Sequence, residues 1–417
     1  MNRRTYLTTT AGISAVAFAG CAELDNPDES GDDDDGDEPS DDDASDSGDE
    51  GDDETGGVEE FDDFEDLDDW ETIEGSLSAD EDRYYTGSQS AHLETEADGR
   101  VTIARELSDS EDFSGMSPGL AVESGSLSDL LIQLFDDDGD LLAFRSEIGE
   151  LSFERTNFGV AEADDDADMG EVSEIQITML GGEDDGREIW IDDLHFVPRP
   201  DDGMVMIQLD GGYENHYTEA LGILEEYDYP ATAFVPPGRI REDEQAEGDR
   251  LTEEQLEELA DADWTIASNT HNAQNPTGLD DDEQEDAFAD AVEWLEDNGY
   301  EDGAKYVSYP TGRYNERTLD LCAEHHELGF AGRYGVGGYA TNPTLCPRVS
   351  DPSAGEVEQL LEWTAELGGI TSLAYFELDE SLEEFEDAVE AISEYEEGGE
   401  ITVIQPETVE NEYVIND

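Results

Sequence analysis

From residue 203 to the C-terminus, short apolar runs alternate with acidic amphipathic segments, and this alternation restricts the fold more than any other feature of the chain. Strand-like runs occupy 204–210, 231–235, 264–268, 305–309, 329–334, 372–376 and 401–404. Between them, apolar residues recur at helical spacing in 217–227, 253–260, 283–298, 316–328, 355–366 and 382–395. Seven strands separated by six helices predict an α/β fold whose parallel sheet closes, or nearly closes, into a distorted (β/α)7 barrel. Acting groups in such barrels sit at the carboxyl ends of the strands, so the residues at and just beyond those ends are the ones to inspect.

The preceding stretch, 58–199, has another rhythm. Runs at 88–94, 100–106, 130–135, 141–144, 174–180 and 188–196 alternate apolar with polar residues, with Asp-Gly and Gly-Gly pairs between them. That pattern predicts an antiparallel, jelly-roll-like β-sandwich. Ahead of it, residues 22–57 carry 19 acidic residues and no basic one, so 21–57 reads as a disordered, self-repelling tether. Residues 1–20 read as an export address. Arg3-Arg4 precedes a modest apolar run too short to cross a bilayer, and Phe18-Ala19-Gly20-Cys21 closes it. The pair resembles a twin-arginine signal and the ending a lipobox, which implies a lipid on Cys21 and a place on the extracellular face of the cell membrane.

Charge narrows the partners. With 117 Asp and Glu against 17 Lys and Arg, the formal net charge of −100 opposes binding to nucleic acid, and the lipid anchor is the only membrane contact expected. Lys305 is the sole lysine, and the excess of acid extends through both folded regions. Such a surface repels itself across a Debye length of about 10 Å in dilute buffer, but across only about 3 Å in molar salt. The composition resembles that of haloarchaeal proteins and predicts unfolding when salt is withdrawn.

The barrel region carries specific motifs: Met204-Val-Met-Ile-Gln-Leu-Asp-Gly-Gly-Tyr213, His216, the Asn269 segment, Ser308-Tyr-Pro-Thr-Gly-Arg-Tyr-Asn315, Leu345-Cys-Pro-Arg-Val349 and Gly368 to Phe376. In order and spacing these resemble the polysaccharide deacetylases (the NodB-homology family) across 203–417. That resemblance implies metal-assisted hydrolysis of an N-acetyl amide on a glycan. One Asp and two His would hold a divalent ion, a second Asp would act as base, and a distant His as acid. It places the base at Asp210 and a substrate groove at Tyr213, Tyr309, Pro310, Gly312 and Arg313. It also exposes losses. The ligand positions read Gly211, Asn269 and Ala273, and the acid position reads Phe376. Glycine and alanine offer no donor atom and an amide is a weak ligand, so the family match leaves no zinc site. Two alternatives stay open. His216 and His271, with Asp210 and Glu377, form a relocated zinc site, or they are ordinary loop residues. Asp210 itself is either a base or a structural carboxylate at a strand end.

In the sandwich, Phe64 to Leu67 with Trp70, Gly87 to Ser90 and Ile189 to Asp193 resemble carbohydrate-binding jelly rolls. That likeness implies a structural calcium held by Asp62 or Asp63 with Asp192 or Asp193. Trp70 and Trp190 are read either as sugar-stacking platforms or as core aromatics. Cys322 and Cys346 are either a disulfide, allowed in an exported protein, or two buried thiols, and His325-His326 read as surface residues. The sequence therefore predicts a surface lipoprotein that acts on or binds N-acetylated glycan. A binding protein without catalysis is set against an active deacetylase using relocated ligands.

Overall fold

The computed structural model describes residues 57–97, 99–181, 186–242 and 248–415. The export signal, Cys21 and the tether as far as residue 56 lie outside the described residues. The first folded region contains β1 (Glu59–Asp62), β2 (Glu71–Glu74), β3 (Ser76–Asp80), β4 (Ser90–Glu94), β5 (Arg100–Glu111) and β6 (Met116–Ser124). It continues with β7 (Ser128–Asp136), β8 (Leu141–Ile148), β9 (Leu151–Asn157), β10 (Gly159–Ala163), β11 (Val172–Leu180) and β12 (Glu188–Pro198). These make two six-stranded antiparallel sheets. One runs β3-β4-β12-β6-β9 with β1 added beside β12, and the other runs β10-β8-β7-β11-β5-β2. Strand β7 shows the driving pattern: Leu130, Ile132 and Leu134 are fully buried while the residues between them are not. They share one apolar core with Ile103 and Ile177 of their own sheet and with Leu93, Leu120, Val122 and Ile191 of the other.

Strand β6 is absent from the expected runs; it carries Pro118 and Gly119, two residues that disfavour a strand interior. The glycine is required there. A Cβ on Gly119 would collide with Nε2 of the buried His195.

All the remaining pairings run parallel. The strands are β13 (Gly203–Asp210), β14 (Thr232–Val235), β15 (Thr265–Ser268), β16 (Tyr306–Ser308), β17 (Leu328–Ala331), β18 (Cys346–Pro347), β19 (Val349–Ser350), β20 (Gly369–Tyr375) and β21 (Ile401–Val403). Their order is β18-β17-β16-β15-β14-β13-β20-β19, with β21 on β13. Only Arg348 separates β18 from β19, yet β18 pairs with β17 and β19 with β20. Segment 346–350 therefore joins the two ends of the sheet and nearly closes the barrel.

The helices that cover it are α1 (Leu221–Glu225), α2 (Glu253–Asp261), α3 (Asp281–Asp297), α4 (Glu316–His325), α5 (Ala354–Leu367), α6 (Leu382–Gly398) and α7 (Pro406–Glu412). Side-chain caps with their reciprocal partners start α2 at Thr252, α3 at Asp280 and α5 at Ser353. Two expected helices are shorter than the periodicity suggested. Segment 217–227 opens as a π-helical turn, His216–Ala220, before α1. Helix α4 stops at His325, because His326 turns extended and docks its Nδ1 on the Ala304 carbonyl at 2.7 Å; Leu328 is already strand.

Strand β13 shows how the barrel separates its interior from its wall. Val205, Ile207 and Leu209 face the helices within the main core, whereas Met204 and Met206 join a second cluster with Phe234, Phe330 and Ile370. Val409 of α7 belongs to that cluster. The same inward period then reaches Gln208 and Asp210, and the interior turns polar toward the carboxyl ends.

The sandwich leans on those ends. Asn157 Nδ2 donates to the carbonyls of Asn342 (2.9 Å) and Leu345 (3.1 Å), and Tyr314 donates to the Glu147 carbonyl at 3.0 Å.

Candidate functional site

Asp210 ends β13 with 1% of its surface exposed. Its carboxylate does not face an open groove. Arg348 Nη1 donates to Oδ1 at 2.9 Å and Nη2 to Oδ2 at 2.7 Å, forming a two-pronged ion pair in which both partners are buried. Ser308 Oγ, at the end of β16, donates to Oδ2 at 3.1 Å. Asn269 Nδ2, just beyond β15, donates in turn to that hydroxyl at 2.7 Å and to the Ser308 carbonyl at 3.1 Å. Four strand ends are thereby tied through one carboxylate. The chain uses Asn269 to brace this network, so its side chain at the expected ligand position serves as a donor.

The residues present do not fit the divalent ion that the motifs imply. At Gly211 the backbone has φ +92° and a Cβ would come within 2.7 Å of the Tyr213 ring, so position 211 excludes side chains on steric grounds. Ala273 has no ligand atom. The buried polar atoms without a protein partner around this network include Gln208 Nε2 and Arg348 Nε, both donors that disfavour a cation, and Nδ1 of His216, a single lone pair.

The stand-in histidines do not assemble either. His216 is fully buried and donates Nε2–H to the Phe376 carbonyl at 2.8 Å; burial lowers its pKa from 6.5 to about 4, keeping it neutral. His271 is half-buried beside Gly238, and Glu377 is exposed. Among the described residues, the trio of His, Cys, Asp or Glu whose ligand atoms lie within 4.8 Å of one another is Glu285, Glu324 and His325. Arg317 already pairs with Glu285 there. Among the described residues, Asp210, His216 and His271 therefore do not bring three ligand atoms within that distance of one another.

The expected groove is also redrawn. Tyr309 is fully buried, packed near Phe288 and Tyr314, and its hydroxyl donates to the Thr344 carbonyl at 2.7 Å. Pro310 is buried as well, so these two hold the wall of the barrel instead of facing a ligand. Tyr213, Gly312 and Arg313 stay partly exposed, with Arg250 lying 3.5 Å over the Tyr213 ring.

In the sandwich, the carboxylates proposed for calcium are committed to internal donors. Asp62 accepts from Phe64 N (2.8 Å) and Trp70 Nε1 (2.9 Å) and pairs with Arg105. Asp63 accepts from Glu65 N at 3.1 Å. Asp192 accepts the N–H groups of Tyr85 (2.7 Å) and Thr86 (3.0 Å), and Asp193 takes Arg155 Nε at 2.7 Å. Both tryptophans are core aromatics. Trp70 stacks on Phe64, while Trp190 is covered on its faces by His92, 4.5 Å away, and by Arg83, 4.0 Å away. Cys322 and Cys346 are free, buried thiols, and burial pushes the Cys322 thiol up to about 12.

Comparison with known proteins bears on this geometry. Residues 198–330 match the family model for polysaccharide deacetylases. YxkH of Bacillus subtilis (strain 168), a protein assigned to the polysaccharide deacetylases, is 35% identical over 121 residues, or 29% of this chain and 41% of that protein. The chain thus spans less than half of that relative's length. Among solved structures, the deacetylase PplD of Streptococcus pyogenes is 25% identical, with a TM-score of 0.32 over 34% of this chain and 62% of that one. A pseudoenzyme of carbohydrate esterase family 4 from Bacillus anthracis is 15% identical, with a TM-score of 0.36 over 52% of this chain and 68% of its own.

Two residues central to this site were not assigned a role from sequence: Arg348 and Ser308. A signal for the first existed. An arginine between apolar neighbours in a strand-like segment, within a chain so poor in bases, must bury its charge against an acid.

Proposed function

We propose that this chain is a surface-anchored glycan-binding protein, lipidated at Cys21, whose deacetylase domain retains the fold of a polysaccharide hydrolase without its metal chemistry. The observation that carries this reading is the Arg348 fork on Asp210, set beside donorless Gly211 and Ala273. A base must be free to take a proton from water, and a metal must be held by lone pairs. Here both carboxylate oxygens already accept charged or hydroxyl donors, and among the described residues no trio of ligand atoms gathers around Asp210. The family acts on polysaccharide, which supports a glycan as the partner.

The test uses the full mature chain in molar salt. Acetate release from acetylated chitooligosaccharides is expected to stay at background with added zinc, cobalt or nickel, while glycan binding is retained. Acetate release that needs stoichiometric metal and is lost in Asp210→Asn would overturn the reading.

A further inference from the structure

A second set of arginines gathers where the sandwich meets the barrel. Arg145 and Glu147 lie on β8, while Arg313 and Arg333 follow the carboxyl ends of β16 and β17. Glu147 stands between two guanidiniums, with Arg313 Nη1 at 3.7 Å and Arg333 Nε at 3.4 Å. Arg145 pairs with Asp129 at 3.1 Å and lies 5.0 Å over the Tyr334 ring. Three bases against two acids reverses the balance of a chain with 117 acids and 17 bases.

The two pairs on Glu147 are long, and the exposure within them is lopsided. The Glu147 side chain is 13% exposed, but those of Arg313 and Arg333 are 37% and 62% exposed. The carboxylate is the more buried member of both pairs, and the two arginines keep much of their surface in solvent. Arg145, Glu147, Arg333, Asn157 and Tyr334 line a narrow cleft of about 20 Å³ at this seam, with room for about one water molecule. Pro347, next to Arg348, forms part of its wall, so the cleft adjoins the barrel mouth.

We propose that the exposed guanidiniums of Arg313 and Arg333 beside this cleft bind the acidic groups of an anionic glycan, carboxylated or sulfated; the inference rests on the glycan-binding reading and names the class of glycan. A guanidinium presents paired donors that match the oxygens of either anion. The net charge of −100 does not prevent this in molar salt, where repulsion fades within about 3 Å and contact pairs decide.

The experiment measures binding of oligogalacturonate, a sulfated dextran oligosaccharide and neutral chitooligosaccharide to the full mature chain in molar salt. The expected result is that at least one acidic oligosaccharide binds about tenfold more tightly than the neutral one. Arg333→Glu should remove that preference and Arg333→Lys should keep part of it, with near-ultraviolet circular dichroism unchanged in both. Equal affinity for neutral and acidic chains, or an unaltered preference in Arg333→Glu, overturns the assignment to these arginines and leaves glycan binding standing. Failure to bind any of the three overturns both readings. If only one acidic probe binds, the assignment to these arginines stands and the anion is identified.

Discussion

Asp210 and Glu147 are both acids held by arginine, and they behave as opposites. Asp210 and Arg348 are each 1% exposed and meet at 2.7 and 2.9 Å. Glu147 meets its arginines at 3.4 and 3.7 Å, and one of them is mostly in water. The buried pair has almost left solvent, so each charge depends on the other. The exposed pairs gain little from each other and leave donors open to an incoming anion. Pairing by itself says nothing about function; burial and bond length decide whether a charge is locked or available.

The largest test of this contrast removes salt. In dilute buffer the repulsion among surface acids is expected to unfold the chain fully, buried fork included, and a melting temperature independent of NaCl would break the argument. Next in size, Arg348→Met strands the Asp210 carboxylate and should cost about 3–5 kcal/mol in denaturant unfolding, with the double variant Asp210→Asn/Arg348→Met recovering part of the loss. A single-variant loss under about 1 kcal/mol would place the pair with the exposed ones.

Acid sharpens the comparison further. His216 and His326 are buried, and burial lowers both from 6.5 to about 4. The folded state therefore binds fewer protons than the unfolded one between those values. Stability is full above pH 6.5 and falls as pH drops toward 4, by at most roughly 3 kcal/mol for each histidine. Urea titrations at pH 7 and pH 4.5 in molar salt would detect it, and replacing His326 by Gln should flatten the profile. The smallest effect belongs to Arg333→Glu, which should change stability by less than about 1 kcal/mol while altering ligand preference.

Much of the barrel was legible because parallel strands buried on both sides appear as plain apolar runs between helices. Every expected strand from 204 onward has a counterpart within a few residues. The sandwich was less legible. Strands β1, β2 and β3 are short and mostly exposed, so no apolar face marks them. Of the candidate site, Asp210 and the donorless Gly211 and Ala273 could be read directly, since side chains that lack atoms cannot bind. The buried orientation of Tyr309 could not be read, because a Tyr-Pro turn is compatible with either face of the wall. Nor could the roles of Asp62 and Asp192, since in so acidic a chain every carboxylate has the same appearance until its donors are known.

The alternation of strands and helices in the barrel, the charge and the absence of ligand atoms at Gly211 and Ala273 were determined by the sequence alone, because periodicity and side-chain chemistry are local properties. The lock on Asp210 was decided only in three dimensions. Its partner lies 138 residues away, on a segment that joins the two ends of the barrel sheet. Closing the barrel brings that segment's arginine inward, and no local pattern can announce a contact made by closure.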